Sequence, residues 1–203
     1  QIRALAGAGV ILSIGHSDAS FAQCDAAMQA GATCVTHLFN AQSQLSNRAP
    51  GVVGAALTLG GLSAGLIADG IHVHPATMRA ALRAKMGPGQ VFLVSDAMAT
   101  AGSEMMRFQL NGRWIERRDG RLTLADGTLA GADLDLATAL RVVTQDVGVP
   151  LEQALQMATS GPASVAGLGA TAGSIAPGRA ADLVHLSAEL TLSAVWQSGQ
   201  RLR

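Results

Sequence analysis

The chain has 203 residues, of which 49% are apolar, and its acidic and basic side chains balance to a net charge of zero. This is enough for one large domain, or one and a half, around a dry core. With no basic stripe and no acidic tail, an electrostatic nucleic-acid binder is excluded. The two cysteines, Cys24 and Cys34, are too few for a disulfide framework and fit reduced cytoplasmic thiols.

The opening QIRALAGAG has no signal-peptide architecture and reads as the tail of an amphipathic helix, so the chain is expected to begin inside a domain. An apolar run at 10–14 predicts a first strand. Ser17 or Asp18 is the expected cap of a helix from about Ala19 to Ala30, closed by Gly31. A second strand is expected at 33–37, followed by a polar, aperiodic loop from Leu38 to Pro50. Residues 51–68 carry no charge over about the length of a membrane span. Gly54, Gly60, Gly61 and Gly65 break that stretch, with Thr58 and Ser63 between them. It reads as a short helix at 51–58, a turn, and a buried strand at 63–68, so no membrane partner is expected. Pro75 suits the first turn of a helix running to Gly87, and a fourth strand is expected at 91–95.

These strands are continuous apolar runs alternating with helices, as in a parallel sheet buried on both faces. The pattern then changes. Asn111-Gly112, Asp119-Gly120 and Asp126-Gly127 separate short strand-like runs and predict a small antiparallel insertion at about 106–128. Helices are expected again at 133–147 and 151–159. A loop through Pro162 to Gly178 follows, and two final strands lie in DLVHLSA and TLSAVWQSGQRLR. Four βα units are half of a closed eight-stranded barrel. Either an earlier half completes a barrel or the strands form an open doubly wound sheet, and the start in mid-helix favours the barrel.

The ends of the four strands carry His16, His37, His72 and Asp96. In a parallel α/β barrel, all C-terminal strand ends open onto the face that holds the chemistry. His16 and His37 follow consecutive strands, about 4.8 Å apart by sheet spacing, so both can reach one ion. A hydrolytic zinc site needs three protein ligands and an open position, and nothing before residue 16 supplies a third. Asp96 is a candidate general base beside that ion, or a loop cap. His72 and His74 form an H-x-H that suits substrate contact or a surface position as well as a metal. Arg48 is a candidate fork for phosphate or carboxylate, Asn40 is close enough to His37 to face the same cleft, and His185 reads as structural.

The segments GHSDAS, THLFNAQSQLSNRAPG, ADGIHV, LVSDAMATAG and DGTLAGADLDL resemble the N-acetylglucosamine-6-phosphate deacetylases of the amidohydrolase superfamily. The tail GSIAPGRAADLVHL resembles that superfamily more broadly, and the resemblance spans the chain. It implies the C-terminal half of a (β/α)8 barrel at 1–170 and C-terminal strands of a small β-sandwich at 171–203. The implied activity is metal-dependent removal of acetate from N-acetylglucosamine 6-phosphate by a cytoplasmic homodimer. Through the matching motifs, His16 and His37 resemble metal ligands for one or two divalent ions, zinc being the expected metal. Asp96 resembles the catalytic acid/base. Asn40, Ala41, Arg48, His72, Leu129, Ala130 and Gly131 resemble substrate contacts, with Arg48 and His72 on the phosphate. Ala130 stands where the family's loop has a serine, so only backbone contacts carry over there. The family's glutamate ligand would precede Gln1. Two other readings follow: an amidohydrolase acting on a different amide or imide, and a fragment inactive alone for want of its third ligand.

Overall fold

The structure is a computed structural model that describes residues 1–202. Four parallel strands, β1 (Ser13–Ile14), β2 (Cys34–Val35), β3 (Ser63–Ile67) and β4 (Val91–Val94), lie side by side in sequence order. Helices α1 (Ile2–Gly7), α2 (Phe21–Gln29), α3 (Gly51–Thr58) and α4 (Pro75–Ala84) alternate with them. The expected α/β alternation is therefore present, with β1 and β2 shorter than the apolar runs that announced them.

The uncharged segment is core. Every residue of β3 is buried, as is α3 from Gly51 to Leu57. One apolar cluster joins Val35, Leu38, Val52, Val53, Leu62 and Ala64, and another joins Leu66, Ile67, Met78, Leu93, Leu140, Val143 and Met157. Each Val, Leu, Ile or Met side chain so removed from water contributes about 1.5–3 kcal/mol, which holds the sheet rigid beneath its loops. No helix among the described residues is long and apolar enough to cross a membrane.

Helix ends depart from expectation in instructive ways. The cap of α2 is Ser20, not Ser17 or Asp18. Ser20 Oγ accepts from the Gln23 N–H, and the Gln23 side chain accepts from the Ser20 N–H, a reciprocal capping box that the S-x-x-Q spacing encodes. His74 caps α4, its Nδ1 accepting from the Ala76 N–H, so the second His of the H-x-H is a helix cap. That helix stops at Ala84, short of Gly87. The helix expected at 133–147 is α5 (Leu136–Arg141) followed by a π-helical turn over Val142–Asp146, where the Val147 N–H reaches back to the Val142 carbonyl. Helices α6 (Leu151–Ala158) and α7 (Ser160–Val165) follow, so Pro162 lies in a short helix rather than in loop.

The insertion is a four-stranded antiparallel sheet of β5 (Arg107–Leu110), β6 (Arg113–Arg118), β7 (Arg121–Thr123) and β8 (Leu129–Ala132). Asn111-Gly112 and Asp119-Gly120 take positive φ at both positions, the two-residue hairpin geometry their sequence predicts. At the third turn only Gly127 does. The tail forms three strands rather than two: β9 (Leu183–Leu186), β10 (Leu192–Gln197) and β11 (Gln200–Arg201). Ser198-Gly199, both at positive φ, folds β11 back onto β10.

Candidate metal and substrate site

Four residues occupy equivalent places on the sheet. His16, His37, Asp69 and Asp96 each stand two positions beyond the last residue of β1, β2, β3 and β4. Three of them, His16 (φ 45°), His37 (φ 22°) and Asp96 (φ 51°), are in the left-handed region, as are Phe39 and Ala41 in the adjoining loop. His and Asp enter that region more readily than most non-glycine residues, Phe and Ala seldom, and backbone of this kind gathers where a fold must aim side chains.

The two imidazoles meet. His16 Nε2 and His37 Nε2 are 2.9 Å apart, with the rings nearly perpendicular and their centroids separated by 4.6 Å. His37 is buried and its Nδ1 has no hydrogen-bond partner, whereas His16 is exposed. Two nitrogens bound to one zinc at about 2.05 Å stand roughly 3.3 Å apart at a tetrahedral angle, so a small opening of this pair would admit the ion. The donor set fits a divalent ion of the zinc type as two of its ligands. Among the described residues no group of three or more His, Cys, Asp or Glu converges on one point.

The approach of β1 to β2 that brings the rings together rests on Gly15. A Cβ built there would lie 2.0 Å from Thr36 Cγ2. The following loop is tied to the same edge. Ser17 donates its N–H to the Ala41 carbonyl, Ser43 donates to the Ser17 carbonyl, and buried Gln42 donates from Nε2 to the Thr36 carbonyl at 2.5 Å. Ser43 Oγ accepts from the Val52 N–H and donates to the Ala19 carbonyl, so it joins this loop to the start of α3.

Half-buried Asn40 donates from Nδ2 to the Leu38 carbonyl of its own loop at 3.2 Å, while Ala41 is exposed. Both lie on the loop that follows His37 and is bonded back to Ser17 and Thr36. Arg48 is exposed further along it and makes no hydrogen bond or ion pair among the described residues. Asp96 is exposed, and its carbonyl accepts from the Ala132 N–H at 2.9 Å. That contact, with the parallel bridge between Ala97 and Ala132, brings Leu129, Ala130 and Gly131 of β8 beside Asp96. Gly131 sits at φ 116°, where an added Cβ would be 2.6 Å from Met98 and 3.2 Å from the Asp96 carbonyl oxygen.

His72 is not at the surface. Its Nδ1 lies 2.5 Å from Asp69 Oδ2, and the side chains of His72 and Asp69 are 6% and 5% exposed. Asp69, which the sequence did not nominate, and not His72, holds the strand-end position of β3, at the same two-residue offset as His16, His37 and Asp96. His72 stands five residues beyond the strand because the Asp69–Gly70 turn carries it back onto the Asp69 carboxylate. Burial alone would raise its pKa. Hydrogen bonds from the His72 ring and from the His72 and Ile71 N–H groups, with the adjacent imidazole charge, outweigh that and hold it below the usual carboxylate value. His185 is exposed on β9 and belongs to a different sheet from these residues.

A family model described as Amidohydrolase family matches residues 2–201. The chain belongs to the amidohydrolase family. It is 41% identical over 202 residues to an N-acetylgalactosamine-6-phosphate deacetylase of Shewanella sp. (strain ANA-3), covering all of this chain and 51% of that protein. It is 39% identical to an N-acetylglucosamine-6-phosphate deacetylase of Bos taurus, covering 98% and 50%. The crystal structure of the Pasteurella multocida N-acetylglucosamine-6-phosphate deacetylase superposes with a TM-score of 0.93 at 33% identity, over 98% of this chain and 52% of that one. The chain spans about half the length of the relatives this amidohydrolase matches.

Proposed function

We propose that this amidohydrolase serves the hydrolysis of N-acetylglucosamine 6-phosphate to glucosamine 6-phosphate and acetate. The observation that carries this reading is the convergence of His16 Nε2 and His37 Nε2 on the sheet edge that also bears Asp96, within a chain whose relatives are named amino-sugar-6-phosphate deacetylases. On the same reading residues 1–170 belong to a (β/α)8 barrel and 171–203 to a β-sandwich. The intact enzyme is a cytoplasmic homodimer acting on a small amino-sugar phosphate.

His16 and His37 would hold the ion, and that ion supplies Lewis acidity toward the acetamide and toward water. Asp96, held at a strand end by its backbone contact to Ala132, accepts a proton from the attacking water and returns it to the departing sugar amine. Arg48 and His72 bind the phosphate, so binding energy remote from the amide orients it. Asn40, Ala41 and the Leu129–Gly131 segment line the sugar. With Ala130 in place of a hydroxyl, this last contact is through backbone.

The test is Asp96→Asn in the intact, metal-loaded enzyme. Turnover should fall at least a hundredfold with metal content retained, and a variant keeping more than about a tenth of the wild-type rate would end the acid/base role. With two imidazole donors, the 203-residue chain alone is expected to bind zinc weakly and to turn over poorly. Tight, stoichiometric zinc on it would contradict this.

A second reading is N-acetylgalactosamine 6-phosphate as substrate, favoured by the 41% identity to the Shewanella protein. The two sugars differ at one hydroxyl, and the kcat/KM ratio for the pair decides between them.

A further inference from the structure

We propose that Asp69 is a positioning residue for phosphate recognition: it holds the His72 ring with Nδ1 inward, so that Nε2 faces the substrate phosphate. The inference rests on the reading of His72 as a phosphate ligand and adds a residue that this reading does not include.

Both oxygens of Asp69 are committed. Oδ1 accepts from the N–H groups of Ile71 and His72, each at 2.8 Å, and Oδ2 faces His72 Nδ1 at 2.5 Å. An ionised carboxylate only accepts hydrogen bonds, so the proton between the pair belongs to Nδ1. The carboxylate stays ionised because these donors outweigh the cost of its burial. His72 Nε2 has no partner among the described residues, which leaves it for a ligand. A ring held this way offers Nε2 to the phosphate as a hydrogen-bond partner, and the buried Asp69 carboxylate balances the positive charge that the ring shares with the phosphate site. The arrangement parallels the carboxylate that orients a metal-bound histidine, with a phosphate in place of the metal.

Asp69→Asn keeps an oxygen for the Ile71 and His72 N–H groups but removes the charge and turns an N–H toward Nδ1. The experiment measures kcat and KM of the intact, metal-loaded enzyme on N-acetylglucosamine 6-phosphate and on unphosphorylated N-acetylglucosamine. Wild type, Asp69→Asn, His72→Ala and the double variant are compared. KM for the phosphorylated sugar should rise about tenfold in Asp69→Asn with kcat within about threefold, and kcat/KM for the plain sugar should not move. The double variant should be no worse than His72→Ala, because one residue acts through the other. If His72→Ala raises KM and Asp69→Asn does not, or if Asp69→Asn depresses both substrates alike, the role of Asp69 is overturned. If His72→Ala has no phosphate-selective effect, the phosphate reading of His72 fails instead. Should Asp69→Asn not fold, ring-nitrogen NMR of the wild type decides. A His72 ring protonated at Nδ1 whose Nε2 signal moves with glucosamine 6-phosphate supports the proposal, and a ring protonated only at Nε2 overturns it.

Discussion

The mouth of the parallel sheet and the β5–β8 insertion both bend the backbone into the left-handed region, and they do so with different residues. In the insertion the positive φ values fall on Asn111-Gly112 and Asp119-Gly120, which tolerate them and close two-residue hairpins. At the mouth they fall on His16, His37, Phe39, Ala41 and Asp96, none of them glycine. Turn chemistry explains the first set. The second is held by the hydrogen bonds of Ser17, Gln42 and Ser43 and by the carbonyl contact of Asp96, and its product is a set of aimed side chains. Asp96 and Asp119 share a φ of 51°, so the difference between the regions is sharpest at Phe39 and Ala41, whose side chains cannot hydrogen-bond their own backbone and for which this φ stores strain.

That contrast can be broken at several points. The largest effect is expected from Gly15→Ala, whose new methyl would collide with Thr36 Cγ2 between the two histidine-bearing strands. We expect about 2–3 kcal/mol of lost stability and a matching loss of metal, followed by denaturant unfolding and metal analysis. Thr36→Ser should restore part of both, and no restoration would mean that Gly15 matters for another reason. Gly131→Ala comes next. Met98 can swing away, but φ 116° cannot be relieved, so a cost of about 1–2 kcal/mol is expected, with activity falling more than stability because the new methyl would also press on the Asp96 carbonyl oxygen.

Ala41→Gly tests the strain directly. The side chain is exposed, so little packing is lost, and the variant should gain up to about 1 kcal/mol in stability. Loss of stability would show that the left-handed φ there is not strained. The counterpart in the insertion, Asn111→Gly, should change stability by less than about 0.5 kcal/mol and leave activity untouched. The mildest test is acid. The folded pKa of Asp69 lies below its ordinary value, so its contribution to stability is complete above that ordinary value and is lost as pH falls through the lowered one. Asp69→Asn should therefore shallow the acid limb of a stability–pH profile and leave the neutral region parallel to wild type.

Much of this was legible in the chain. Long apolar runs, the uncharged 51–68 segment and the Asn-Gly and Asp-Gly dipeptides each have a local cause, and each led to the element found. The Ser20–Gln23 capping box was legible too, through a three-residue spacing that a search for the first polar residue after β1 passes over. His16 and His37 could be nominated from their positions at strand ends. Asp69 has the same offset, but its interest lies in the ring it grips, and a sequence does not state that contact.

By itself, then, the sequence determined the α/β alternation, the buried character of α3 and β3, the hairpin insertion and three of the four ionisable residues that follow the strands, His16, His37 and Asp96, because periodicity, turn chemistry and burial act over a few residues. Only the tertiary structure decided that two Nε2 atoms 2.9 Å apart share one point, that β8 lies against Asp96, and that His72 is held by Asp69 rather than left in solvent. Those outcomes depend on strand register, on Gly15 and Gly131 admitting close neighbours, and on left-handed backbone at the strand ends. Each is fixed by groups that come together only once the sheet has formed.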